Sequence, residues 1–306
     1  MIADSDIPDE VREGLSRGRT LCLWTLFWLG TISILMYLVM GQSQAMKTAF
    51  IEDVLSLVPS ITFLIAASLE HKPPSQKFPF GFKRFNSIAF LISATALLSI
   101  GSFMAYEAVM GLLKMEHPSI GAISVFGVEL WLGWVMLAAL AYSAIPPVIL
   151  GRMKKPIAEK IEDKVLFTDA QTQKADWQTA LAGMVGVVGI GLGIWWADAA
   201  AALFISLSIL RDGWKAIGKS AAELADGAPR ELDSQEIDTE AQEVMDKLAQ
   251  AFPRSSARVR ESGRYMLAQV TGPDAVGPID IEDFCPQKRP WRLAELSLIE
   301  RESDRT

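Results

Sequence analysis

Six long apolar runs constrain this chain more than any other feature. They lie at 20–41, 47–70, 86–113, 123–150, 168–194 and 197–220. A run of about 20 apolar residues is long enough to cross a bilayer as a helix. The first, third and fourth are nearly free of charge, whereas the second, fifth and sixth carry charges within or at the mouth of the run. With hydrophobic residues at 50% of the chain, the expected fold class is an all-α polytopic membrane protein. It has six transmembrane helices and a small cytoplasmic C-terminal α/β domain. The predicted organisation is an N-terminal cytoplasmic segment over 1–19, a transport domain over 20–220 and a C-terminal domain over 221–306.

Charge and rare residues exclude several classes. A net charge of −7 speaks against nucleic acid, whose phosphates need a basic face. The only cysteines, Cys22 and Cys285, imply no disulfide framework. His71 and His117 are the only histidines, which argues against a histidine-built metal site. The opening "MIADSDIPDEVREGL" is acidic and polar, unlike a signal peptide. Basic residues in short loops set orientation. Arg12, Arg17, Arg19, Lys72, Lys77, Lys83, Arg84, Arg152, Lys154, Lys155, Lys160 and Lys164 fall on one side, against Lys47 and Lys114 on the other. Both termini are therefore expected in the cytoplasm of a multi-pass protein of bacterial inner-membrane type.

After Asp226 the text turns polar, with Gly227 and Pro229 as breakers. "IDTEAQEVMDKLAQAF" spaces Ile237, Val244, Leu248 and Phe252 as an amphipathic helix. "ARVRES" and "RYMLAQVTG" flank Gly263 as a hairpin would. The tail "WRLAELSLIERES" fits helix or strand.

Ionisable groups inside a bilayer cost about 2.5–3.5 kcal/mol each on insertion scales, so they face partners or a cavity. Glu52 and Asp53 lie in the second run, Asp169, Lys174 and Asp176 in the fifth, and Asp198 opens the sixth. Glu52 and Ser56 share a helix face, as do Asp169, Thr172, Gln173 and Asp176. If the two runs face each other, Glu52, Ser56, Thr172 and Asp176 meet as an all-oxygen set. Such donors suit harder divalent cations. Lys174 either neutralises Asp169 or reaches to the cytoplasm, and Asp198 reads as an interfacial helix cap. Pro59 is a candidate kink after the site.

These features together resemble the cation diffusion facilitator family. "FPFGFKRFNSIAF" at 78–90 is similar to the family signature after its second span, H-P-F-G-[HY]-G-[RK]-x-E. "LFTDAQTQKADWQTA" at 166–180 resembles its fifth span, and "WWADAAAALFISLSILRDGWKAI" at 195–217 with "ADGAP" at 225–229 its sixth. The resemblance covers roughly residues 18–230. It implies export of divalent cations from the cytoplasm by exchange with protons, in a homodimer, with a ferredoxin-like cytoplasmic domain. It also implies a tetrahedral site built from two residues four apart on span two and two on span five, usually [DH]-x-x-x-D on each.

Counted on the family pattern, those pairs fall on Glu52 with Ser56 and on Thr172 with Asp176. A hydroxyl thus replaces one acidic or imidazole ligand on each helix, and Asp53 or Asp169 is left to supply the missing carboxylate. Phe82 and Asn86 also depart from the signature, and the histidine-rich loop of many zinc members is absent. The metal set is therefore Glu52, Asp53, Ser56, Asp169, Thr172 and Asp176, with Asp169 at the cytoplasmic mouth. Zn, Mn, Fe(II), Co and Mg all remain candidates as the transported cation, and no resident cofactor is implied. The leading reading is a secondary transporter with divalent cations, protons, lipid and a second copy as partners. The alternative is a non-transporting, degenerate or regulatory paralogue of the family. No nucleophile–base pair or phosphate loop points to an enzyme.

Overall fold

The computed structural model describes residues 8–39, 53–70, 72–115, 122–125, 128–272 and 279–299. Long helices fill its first three quarters. They are α1 (Asp9–Val39), α2 (Val58–Leu69), α3 (Arg84–Leu113), α4 (Leu132–Ile161), α5 (Lys164–Gly191) and α6 (Ala197–Leu224). A short antiparallel hairpin, β1 (Ala122–Val125) and β2 (Val128–Trp131), precedes α4. Among the described residues, α3 alone is long and apolar enough to cross a membrane by length and composition, and Asp53–Leu69 forms a shorter apolar helix.

Boundaries differ from the apolar runs in instructive ways. Helix α1 begins well before the first run and takes in the charged residues from Asp9 onward. The run at 123–150 is part strand: its first residues pair across the β1–β2 hairpin, and α4 continues instead to Ile161. Pro59 does not kink an established helix. It sits in the first turn of α2, where its missing N–H is already an orphan, just after a break at Leu57.

The bundle carries large apolar side chains on its outside and buries polar ones within an otherwise apolar core. Trp24, Phe27, Ile65, Ile92, Ile149 and Phe204 are exposed, while Thr25, Ser60, Ser93, Lys154, Asp169 and Gln173 are buried. A chain folding in water has the opposite preference, so this bundle suits an apolar surrounding. Helix α3 packs along α6 and α4 along α5, while α1 lies on α4 and α2 on α3.

The C-terminal domain is small and mixed. Helix α7 (Thr239–Ala251) starts at Asp238, whose carboxylate accepts from the backbone N–H groups of Glu240 and Ala241 at 2.8 and 3.1 Å. It covers a three-stranded sheet of order β3 (Ser256–Ser262), β4 (Tyr265–Thr271), β5 (Leu293–Ile299). The hairpin expected around Gly263 is β3–β4, and the ambiguous tail is a strand, parallel to β4. Val244, Leu248, Met266, Val270 and Leu293 form the core. Ile237 is the exception to the amphipathic reading, since it precedes the helix cap and is exposed. Between β4 and β5 the described residues form short 3-10 turns rather than a second long helix.

The tip of the β3–β4 hairpin plugs into the end of the bundle formed by the start of α3 and the end of α6. Gly263 takes φ +66, and a Cβ there would lie 2.9 Å from the Lys83 carbonyl oxygen. Its N–H donates to Ser87 Oγ at 3.2 Å and to Glu223 Oε1 at 3.3 Å.

Candidate metal centre

Two polar centres lie along one face of α5, seven residues apart. The first surrounds Asp176. Ser56, in the helical turn before α2, donates to Asp176 Oδ1 at 2.7 Å. Gln173 Nε2 approaches Asp176 Oδ2 at 3.5 Å, while the buried Gln173 Oε1 has no hydrogen-bond partner. Asp53, half-buried one turn before Ser56, lies within electrostatic range of Asp176. Thr172 is buried next to this group, and its hydroxyl donates to the Thr168 carbonyl at 3.1 Å, leaving oxygen lone pairs over.

Ser56, Gln173 and Asp176 therefore meet directly, with Asp53 in electrostatic range and Thr172 one turn before Asp176 on α5. Like charges crowded in an apolar interior call for a positive partner. An unpartnered buried amide oxygen is a further donor for a hard cation. Glu52 lies outside the described residues. Among the described residues no group of three or more His, Cys, Asp and Glu side chains gathers to hold a metal, so any cation here draws on hydroxyl and amide oxygens as well.

The second centre, two turns nearer the start of α5, surrounds Asp169. It is already occupied by a cation of the chain. Lys154 of α4 forms an ion pair with Asp169, and both side chains are fully buried. Ser60 Oγ lies 2.9 Å from each Asp169 oxygen, and Cys22 Sγ donates to Oδ2 at 3.4 Å. Of the two readings of Lys174, neutralising Asp169 is not what the structure shows: its ammonium lies 3.7 Å from Asp212, with the side chain half exposed.

Sequence reasoning missed Lys154, Ser60 and Thr25, and placed Gln173 on the Asp169–Asp176 stripe without giving it a role. Lys154 stands in the basic stretch "GRMKKP", which reads as a loop. Because α4 runs on to Ile161, that lysine faces the bundle interior. Ser60 stands four residues after Ser56, the same face by helical spacing, and that was the available signal.

Residues 21–225 match the family model described as the cation efflux transmembrane domain. Among curated proteins, the chain is 26% identical to the manganese efflux system protein MneS of Bacillus subtilis over 223 residues, covering 72% of this chain and 71% of that protein. It is 26% identical to the magnetosome protein MamB of Paramagnetospirillum magneticum over 229 residues, 72% of each. It is 25% identical to a cadmium, cobalt and zinc/H(+)-K(+) antiporter of Bacillus subtilis over 179 residues, 57% of this chain and 52% of that protein.

Proposed function

The chain belongs to the cation efflux family, and on that premise we propose that it is a secondary transporter exporting a divalent metal cation from the cytoplasm in exchange for protons. Members of this family are membrane transporters rather than enzymes, and divalent cation export is the family-level activity. The finer reading rests on the Ser56–Asp176 contact between the span-two and span-five helices. Around it, Asp53, Thr172, Asp176 and the unpartnered Gln173 amide oxygen give an oxygen donor set. Glu52, four residues before Ser56 in the sequence, is retained as a proposed further donor although it lies outside the described residues.

Oxygen donors favour harder cations over zinc, which prefers nitrogen and sulfur. Mn(II) is accordingly the leading cargo, ahead of Fe(II), Co(II), Mg(II) and Zn(II). A relative named as a manganese efflux protein supports this, and a relative named as a proton-linked antiporter supports the counter-ion. Carboxylates that must be deprotonated to bind metal give the exchange its chemistry: a cation binding at Asp176 and Asp53 excludes protons there, and protons arriving on the far side release it. Six spans, cytoplasmic termini and a homodimer complete the proposal.

The test is metal uptake into proteoliposomes with Mn, Zn, Fe(II), Co and Mg, with and without a pH gradient. Uptake of Mn that responds to the gradient and disappears in Asp176→Ala is the expected result. Absence of flux for all five metals would favour the non-transporting paralogue.

A further inference from the structure

We infer that Lys154 is a built-in cation of the transport domain. Its ammonium takes the place of a second metal ion at Asp169 and so limits each chain to one transported cation. The inference rests on the reading of the Asp176 centre as the cargo site.

An ammonium has three N–H donors, and the Lys154 ammonium uses all three. It donates to Thr25 Oγ1 at 2.6 Å, to Ser60 Oγ at 3.3 Å and to Asp169 Oδ2. Asp169 in turn receives Ser60, Cys22 and Lys154. Every one of these side chains is fully buried. The shell is that of a cation site: carboxylate and hydroxyl oxygens, contributed by α1, α2 and α5, converging on one positive charge held by α4.

Its position matters as much as its composition. Asp169 and Asp176 are two turns apart on α5, about 10 Å at 1.5 Å per residue. Two carboxylates so placed would otherwise form tandem stations on one helix face. A metal ion at Asp169 would have to displace Lys154 and strand its charge in an apolar interior. With the ammonium in place the Asp169 centre is neutral and closed, and the Asp176 centre is left with its two carboxylates and the unpartnered Gln173 oxygen. Lys154 is thus a positioning residue that determines how many cations the chain holds.

Calorimetric titration of the purified protein with Mn(II), in detergent, reads this directly. The wild type is expected to bind one Mn(II) per chain. Lys154→Met is expected to bind two, and Lys154→Met with Asp169→Asn to return to one. Stoichiometry is a readout that a merely structural ion pair would not move. A Lys154→Met protein that is folded and still binds one ion overturns the inference. So does a double variant that binds none, which would make Asp169 a ligand of the first ion. If Lys154→Met alone does not fold, the double variant leaves no unpaired buried charge, and retention or loss of its single ion decides. Failure of the underlying reading looks different: the wild type would bind no Mn(II), or Asp176→Asn would bind it undiminished.

Discussion

Arg264 and Glu70, 194 residues apart in sequence, form a bidentate pair with Nε–Oε1 at 2.9 Å and Nη2–Oε2 at 2.8 Å. The same guanidinium reaches Asp163 Oδ2 at 2.8 Å and the Ile161 carbonyl at 3.2 Å. The β3–β4 turn thereby joins the end of α2 to the α4–α5 turn, and Arg264 is fully buried there. Truncating one partner of a buried pair strands the other charges, at a cost of about 3–5 kcal/mol. Arg264→Ala is therefore expected to release the C-terminal domain from the bundle. Lysine would not rescue it, since a point charge cannot reproduce the two-pronged geometry. Limited proteolysis of the 227–238 linker reports the outcome. Equal protection in Arg264→Ala and wild type would show that the domain docks by other contacts.

A second buried link at the same interface is pH-sensitive. Lys164 pairs with both Glu223, at 3.0 Å, and Glu261 of β3. Burial pushes the Glu261 carboxyl up to about 7, with Lys164 and Arg292 opposing the rise and Glu223 adding to it. An acid whose folded pKa exceeds its unfolded value of about 4.3 binds more protons when folded. Its contribution is fully present below that unfolded value and is lost as pH rises through about 7. Docking should thus tighten between pH 8 and pH 6, seen as a rise in the unfolding midpoint. Glu261→Gln should flatten that slope, and an unchanged slope would place its origin elsewhere.

At the proposed cargo site, Ser56→Ala removes one oxygen donor and the hydrogen bond to Asp176. A hydrogen bond to a charged group is worth about 1.5–3 kcal/mol, so Mn(II) affinity should fall by about tenfold or more. Asp176→Asn should abolish binding, because the remaining carboxylate among the described residues, Asp53, would hold the ion alone. Direct Kd measurement separates the two. Equal affinity in Ser56→Ala and wild type would remove Ser56 from the ligand set.

Hydropathy alone located the helical bundle, since each apolar run overlaps a helix, while helical spacing brought Ser56 and Asp176 together only on the condition that their two runs face each other. The β3–β4 hairpin was equally legible, because Gly263 interrupts two alternating segments. What remained hidden was long-range or ambiguous. Local spacing carries no trace of a pairing such as Arg264 with Glu70. The residues at 122–131 are apolar without a clear period, so strand and helix look alike there. Lys154 read as a loop cation because the apolar run stops at Leu150, yet the helix continues to Ile161, through Pro156. The residue that carries the further inference was thus visible as a charge but not as a buried one.

The crossing of α3 and α6 gives a prediction with opposite signs at two glycines. A Cβ on Gly213 would lie 2.8 Å from Leu98 Cα, and one on Gly101 would lie 2.9 Å from the Leu210 backbone nitrogen. Backbone cannot retract as a side-chain tip can, so the two helices touch there only because both positions lack a side chain, the small-residue packing used between membrane helices. Gly213→Val should force the pair apart and destabilise the protein by about 1–3 kcal/mol, the usual cost of overpacking. Gly30 of α1 has nothing within 4 Å of its Cβ position. Gly30→Ala should instead leave stability unchanged or raise it by up to about 1 kcal/mol through helix propensity. Thermal unfolding in one detergent compares both. A Gly213→Val midpoint equal to that of Gly30→Ala would mean the α3–α6 crossing is looser than this geometry requires.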